Sequence, residues 1–337
     1  MRKALPINSR DVARLAGVSQ STVSKVANNN MCITVETRAR VIRAARELGY
    51  VLNPRKSSYR RIAVIIPGQQ YVGYIASMLS GVSQELLRRG MEMEIVPDTR
   101  LSILNERCVG GAIALSWENK FYNEWKKTIT LPLVRINGAS DHLNNCYSVC
   151  PNGIYSLQKL INQLWELKHR KIAFFFFNDY EHEIHNVARR LEGFLAAMQS
   201  HGMGDPEQYC FFDCLQKTSE ELVQQLVTWH REGMTALIFA GAIGTGKMMQ
   251  CIQLAGLRVP QDLSVIGWEQ HDLSCYTIPP LHTLSPDPEE ISRAAVTLLI
   301  QMIKRCPDVH DILLPYRWIE RESIGIASIP SGNSVAR

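Results

Sequence analysis

The chain lacks an apolar run long enough to cross a bilayer: the longest, Ile172 to Phe177, spans six residues, against the roughly 20 a membrane helix needs. Its opening residues, Met-Arg-Lys-Ala-Leu-Pro-Ile-Asn, are basic but precede no apolar stretch and no small-residue cleavage site, so they do not read as a secretory leader. No two of the nine cysteines form a C-x-x-C pair. An odd number scattered from Cys32 to Cys306 suits buried thiols in a reducing compartment better than a disulfide framework. H-E-x-x-H and G-x-S-x-G are also missing, which leaves zinc and serine hydrolysis without their usual signatures. Only 20% of residues are charged and 46% are hydrophobic, too apolar for disorder and ample for two or three cores in 337 residues. These absences predict a soluble, cytoplasmic protein with no membrane span, no metal and no cofactor.

What is present is an asymmetry of charge. Residues 1–61 carry 13 Lys+Arg against three acids, net +10, whereas the remainder is net -5. A small basic module on a larger, mildly acidic body suits a polyanion-binding head joined to a sensing or catalytic part.

Within the head, Val12, Ala13, Ala16, Val18, Val23 and Val26 recur at spacings of three and four, broken by Gly17. This pattern predicts two short helices joined by a tight turn, with Ser19 capping the second and small alanines allowing a close crossing. A third helix is expected from Val35 to Leu48, capped by Thr34 and stopped by Gly49. In such a helix-turn-helix the second helix enters the major groove, which makes Gln20, Ser21 and Lys25 the candidates for base edges. Ser19, Thr22, Ser24 and Asn28 are expected to contact backbone phosphates.

The run from Asp11 to Asn28, DVARLAGVSQSTVSKVAN, resembles the signature of the LacI/GalR (lactose/galactose repressor) family of bacterial regulators, and the likeness continues through Thr34, Thr37 and Arg38 to Leu48-Gly49-Tyr50. That resemblance also implies Gln20, Ser21 and Lys25 as base readers. Beyond Asn53 the family has a hinge helix whose leucine wedges into the minor groove. Here only Pro-Arg-Lys-Ser-Ser-Tyr-Arg-Arg intervenes, without leucine. Arg55 and Tyr59 are then either minor-groove contacts or members of a solvated basic linker.

From Ile62 short apolar runs alternate with helical stretches, the pattern of βαβ units and parallel sheets. Strands are expected at Ile62–Pro67, Glu92–Val96, Gly111–Leu115, Leu133–Ile136, Ile172–Phe177, Ala236–Ala240 and Ser264–Trp268. Helices are expected at Tyr74–Arg89, Asn152–Leu167, Arg189–His201, Glu220–Glu232, Lys247–Ala255 and Glu289–Arg305. The order repeats after about Cys150, so two doubly wound lobes are predicted, with a ligand in the cleft between them. His169 to Ala173, Arg190 to Phe194, Val259 to Gly267, Pro279 to Leu284 and Arg321 to Ser323 resemble the core of the same family, which is similar to a periplasmic sugar-binding protein.

The fold class predicted is therefore an N-terminal all-α helix-turn-helix headpiece plus an α/β two-lobed periplasmic-binding-protein-like core. The headpiece is placed at 1–53, a short basic linker at 54–61, the core at 62–330 and a tail at 331–337. Within the core the N-lobe takes about 62–149 and 286–317, the C-lobe about 150–285 and 318–330. The resemblance implies a homodimer through helix Tyr74–Arg89, a palindromic operator in double-stranded DNA, and an effector held by Asn186, Arg190 and Glu269. Where the family has Asn-Asp this chain has Gly241-Ala242, and Cys150-Pro151-Asn152 also departs from the usual crossing, so a sugar, a sugar phosphate or another metabolite remain open as effectors.

Gly241 to Lys247 matches G-x-x-x-x-G-K between a strand and a helix, which presents backbone N–H groups to an anion. The residue after the lysine is Met248, which offers no hydroxyl to Mg²⁺. The pairs Cys146/Cys150, Cys210/Cys214 and His182/His185 supply two ligands each, too few for zinc. The function predicted is a sequence-specific transcriptional regulator, a repressor rather than an enzyme and without catalytic residues. The alternatives are a nucleotide- or phosphate-binding enzyme using the Gly241–Lys247 turn, or a DNA-binding regulator with a vestigial, ligand-free sensor core.

Overall fold

The computed structural model describes residues 7–27, 33–50, 52, 60–67, 73–105, 109–115, 125, 131–140, 145–176, 185–212, 214, 216–241, 244–269 and 273–328. Three helices come first: α1 (Ser9–Ala16), α2 (Gln20–Ala27) and α3 (Val35–Glu47). Asn8 Oδ1 accepts the Arg10 N–H at 2.9 Å while Asp11 accepts the Asn8 N–H at 3.1 Å, so two orphan donors at the start of α1 are satisfied together. The helix ends at Gly17, whose φ of 63° is left-handed and costs glycine nothing. Ser19 Oγ accepts the Thr22 N–H at 3.1 Å, and Thr34 Oγ1 the Thr37 N–H at 3.3 Å, which starts the next two helices. Val12, Ala16, Val23, Val26, Val41 and Ala45 meet in one small core.

Beyond the headpiece lie twelve strands among the described residues. They are β1 (Arg61–Ile66), β2 (Glu92–Pro97), β3 (Gly111–Ala114), β4 (Leu133–Ile136), β5 (Cys146–Pro151) and β6 (Ile172–Phe175). Then come β7 (Cys210–Phe211), β8 (Ala236–Phe239), β9 (Ser264–Trp268), β10 (His282–Ser285), β11 (Ile312–Leu314) and β12 (Arg317–Ile319). The accompanying helices are α4 (Gly73–Arg88), α5 (Gly153–Glu166), α6 (His185–Ser200), α7 (Ser219–Arg231), α8 (Thr245–Leu254) and α9 (Pro288–Ile303). The strands form two six-stranded sheets, ordered β11-β5-β4-β3-β1-β2 and β12-β10-β9-β8-β6-β7. Every strand and helix predicted from apolar periodicity is present, with ends shifted by a few residues.

Five strands were not predicted: β5, β7, β10, β11 and β12. β7, β11 and β12 have only two or three residues, and β5 and β10 bury polar residues that hide the apolar pattern. Ser148 in β5 donates its backbone N–H to Asp311 at 2.7 Å, and His282 in β10 donates its own to Ser323 Oγ at 2.7 Å. The chain divides into two compact units, Met1–Cys150 with Pro288–Ile312 and Pro151–Asp287 with Leu313–Arg337. The expected extension of the N-lobe to 317 is corrected to 312, because β12 pairs antiparallel with β10 in the second sheet.

In the second unit Phe174 stacks on Phe194 of α6 at 4.9 Å, while Phe175 meets Trp229 of α7 edge-on at 5.7 Å. Successive residues thus serve opposite faces of a sheet covered on both sides, each fully buried ring contributing about 1.5–3 kcal/mol. Helices α5 and α6 approach closely at Gly193, where an added Cβ would lie 2.7 Å from Ile154 Cα and its carbonyl oxygen. Gly193→Ala is therefore expected to destabilise the protein by about 1–3 kcal/mol. Chemical unfolding beside Gly204→Ala, whose methyl meets nothing within 4 Å, measures the difference.

His169 ties together the amino-terminal side of this sheet. Its Nδ1 lies 2.8 Å from Thr235 Oγ1, and its Nε2 3.0 Å from the Gly325 carbonyl and 3.1 Å from Ser264 Oγ. Burial holds its pKa below the ordinary 6.5, opposed by the Gly325 carbonyl and reinforced by Arg170. The unfolded chain therefore takes up a proton near 6.5 that the folded ring still refuses. Stability is full above that pH and falls as the pH drops below it. The urea midpoint should fall between about pH 7.5 and pH 5.5, and should fall less in His169→Gln.

Candidate functional site

The valines of α2 decide which of its side chains meet solvent. Val23, Val26 and Ala27 face the core, so Gln20, Ser21, Ser24 and Lys25 emerge exposed, with Ser19 just ahead of them and Thr22 half-buried. Ser19 Oγ, already the cap, lies 2.8 Å from both Ser21 Oγ and Thr22 Oγ1. Gln20 Nε2 donates to Ser9 Oγ of α1 at 2.8 Å. The described candidates, Ser19 to Thr22 with Ser24 and Lys25, are therefore gathered at the start of α2, supported by an order that begins at the helix cap. Asn28, Arg55 and Tyr59 lie outside the described residues. Arg40 and Arg43 of α3 are exposed as well and extend the positive charge of the headpiece.

In the second unit the strand order reverses between β6 and β8, the point in open α/β sheets where ligands lie outside the carboxyl ends of the strands. Arg190 of α6 reaches this edge and is only 6% exposed. Its Nη1 donates to the carbonyl of Ala240, directly after β8, at 2.6 Å. Its Nε and Nη2 donate to Tyr316 Oη at 3.0 and 2.9 Å. The guanidinium lies over the Trp268 ring at 3.7 Å, a cation–π contact in a dry setting. Among the described residues no carboxylate pairs with it. Three of its five N–H hydrogens are used and two remain for an acceptor. Trp268 and Tyr316 were not singled out from sequence; Trp268 stands directly before Glu269 at the end of a predicted strand, which was the available signal.

Glu269, expected to contact an effector, is engaged within the protein. Its two oxygens take Arg321 Nη2 at 2.8 Å and Nη1 at 2.9 Å, and Thr283 Oγ1 donates to it too. Hydrogen bonding to Glu269 raises the Arg321 pKa above its usual value. The pair joins the loop after β9 to the segment after β12, a structural task. Asn186 lies in the first turn of α6, and its side chain is outside the described residues. An added Cβ at Gly241 would meet nothing within 4 Å.

Of the turn that follows, Ala242 and Ile243 lie outside the described residues. Gly244, φ 77°, precedes α8, and Lys247 Nζ donates to the Lys217 carbonyl at 2.6 Å. Met248 is fully buried. Burial pushes the Cys150 thiol up to about 11 and the Cys210 thiol to about 12, so both stay protonated at neutral pH. Among the described residues no three His, Cys, Asp or Glu side chains gather to hold a metal, and no helix is long and apolar enough to cross a membrane.

The first unit carries a polar group that sequence reading missed. Asn137 directly follows β4, at the carboxyl edge of its sheet, with φ 63° and 5% exposure. Its Nδ2 donates to Tyr74 Oη at 2.9 Å, while its Oδ1 is buried with no partner. A buried carbonyl oxygen left unsatisfied costs about 1–3 kcal/mol, which a ligand or water donor recovers.

A closed three-helix head with outward polar side chains, joined to two doubly wound α/β units, defines the class: a DNA-binding transcriptional regulator with a periplasmic-binding-protein-like core. The comparisons agree. Residues 10–53 match the model for bacterial regulatory proteins of the lacI family, and residues 161–324 match the periplasmic binding protein-like domain. The head is thus that of the lacI family of bacterial regulators, and the body carries a periplasmic-binding-protein-like domain. It is 26% identical over 330 residues to the ribose operon repressor of Haemophilus influenzae, covering 94% of this chain and 98% of that protein. It is 27% identical over 316 residues to the transcriptional repressor PurR of Aliivibrio salmonicida, covering 88% and 92%. The solved regulator CelR in complex with cellobiose superposes with a TM-score of 0.66 at 23% identity, over 94% of this chain and 100% of that one. The Lac repressor dimer bound to operator and the anti-inducer ONPF gives 0.65 at 21% identity, over 95% and 99%. At such identities the two structures establish the fold alone.

Proposed function

We propose that this protein is a cytoplasmic transcriptional repressor, not an enzyme, that binds a palindromic operator as a homodimer. The observation that carries this reading is α2: a helix pinned by its valines, presenting Gln20, Ser21 and Lys25 outward from a basic head. Gln20 pairs with adenine, Lys25 donates to guanine O6/N7, and Ser21 bonds either base edges or phosphate. Ser19, Thr22, Ser24 and Asn28 hold the backbone. Helix α4 leaves Ser80, Gln84 and Leu87 exposed along one stripe, and the second unit exposes Tyr276 and Ile278, surfaces suited to a second copy of the chain. The enzyme alternative draws less support, since Lys247 Nζ donates to the Lys217 carbonyl and Met248 beside it offers no hydroxyl to Mg²⁺.

Full-length protein challenged with a pool of random duplexes should select an inverted repeat. Lys25→Ala should weaken binding to the selected site by about 1–3 kcal/mol and relax preference at one position per half-site. Recovery of a sequence without two-fold symmetry would overturn the homodimer, and unaltered preference in Lys25→Ala would overturn the groove assignment.

An effector is read at Arg190. Its two remaining N–H hydrogens suit an acceptor-rich molecule, a carboxylate, phosphate or hydroxylated metabolite. Asn137 Oδ1 in the first unit calls for a donor. Control of DNA affinity follows only if the molecule binds two states of the protein differently. A second reading, a regulator whose core holds no effector, draws on the same residue, because Tyr316, Ala240 and Trp268 already engage Arg190. Titration calorimetry with sugars, sugar phosphates and small carboxylates separates the two. At least one class should release heat, and Arg190→Gln should abolish it. Silence from all classes would leave the effector-free reading.

A further inference from the structure

Ser9 is the first residue of α1 and Gln20 the first of α2, and Gln20 Nε2 donates to Ser9 Oγ at 2.8 Å. Gln20 is exposed and Ser9 half-exposed. Helix α1 does not need the Ser9 hydroxyl to begin, since Asn8 and Asp11 supply its capping box. The bond is left with the task of orienting Gln20.

A glutamine amide has two donor hydrogens on nitrogen and one acceptor oxygen. With one hydrogen committed to Ser9, the outward edge offers one N–H beside one C=O. That edge complements adenine, whose N7 accepts and whose N6 amino group donates. In the reverse orientation the serine hydroxyl would donate to Oε1 and leave only N–H hydrogens outward, which complements guanine O6 and N7. The direction of a single hydrogen bond between the two helices thus decides between two purines.

We infer that Ser9 is a specificity-determining residue that positions the Gln20 amide to read adenine over guanine, without itself touching a base. The inference rests on the reading of α2 as the recognition helix. Released from Ser9, the long glutamine side chain regains both amide orientations, and the ordering lost is worth roughly three- to tenfold.

The test selects full-length wild type, Ser9→Ala, Ser9→Thr and Gln20→Ala against the same random duplex pool and reads base frequencies at each position. Wild type should prefer adenine at one position per half-site, a preference that Gln20→Ala flattens. Ser9→Ala should lower the adenine-to-guanine ratio at that position roughly three- to tenfold and leave the others unchanged. Ser9→Thr, which keeps the hydroxyl, should retain the wild-type ratio. The inference is overturned if Ser9→Ala leaves the ratio unaltered while Gln20→Ala flattens it, or if Ser9→Ala weakens all sequences equally. Should Gln20→Ala flatten no position, base reading by Gln20 itself fails, an outcome distinct from failure of its positioning.

Discussion

Burial of Val23 and Val26, neither more than 2% exposed, is the constraint from which the proposed DNA-reading surface follows. Two apolar residues three apart lock the rotation of a helix about its own axis. With those positions inward, Gln20, Ser21, Ser24 and Lys25 have nowhere to point but outward. The short turn at Gly17 and the caps at Asn8, Ser19 and Thr34 fix where each helix starts, so the rotation becomes a position. Positive charge then supplies attraction to DNA, and the rotation supplies register.

In the second unit the same economy governs charge. Three arginines of the second unit meet two fates. Arg321 is paired with the Glu269 carboxylate, and Arg258 with Asp262. Arg190 is buried at the carboxyl edge of the sheet on an aromatic ring, a tyrosine hydroxyl and a carbonyl, with no carboxylate among the described residues. A buried cation supported only by neutral groups retains most of its attraction for an incoming acceptor. His169 and Ser323 sit at the far, amino-terminal side of the strands and hold them together. Residues that look alike as markers thus divide between the carboxyl and the amino edges of the sheet.

Much of the architecture was legible because burial imposes period. The fully buried strands read as short apolar runs, the helices as 3.6-residue stripes, and the caps as Asn, Ser and Thr before them. Strands β5 and β10 escaped because their buried polar residues are satisfied by partners over a hundred and about forty residues away, Asp311 and Ser323. The pairing of Glu269 with Arg321 was not legible either, because a carboxylate after a strand carries no sign of the arginine that the fold brings to it. Asn137 escaped for the converse reason, since only burial reveals that its oxygen is unsatisfied.

The sequence by itself determined the class of elements, the helix-turn-helix head and its outward residues, and the contrast in charge between head and body, because propensity, capping and periodicity act over neighbouring residues. Only the tertiary structure decided which charges are spoken for. Arg321 with Glu269, Lys247 with Lys217, Arg190 with Tyr316 and Gln20 with Ser9 join residues that are distant along the chain or belong to different elements. A hydrogen bond depends on separation in space to within a few tenths of an ångström, and that separation exists only after the cores have closed.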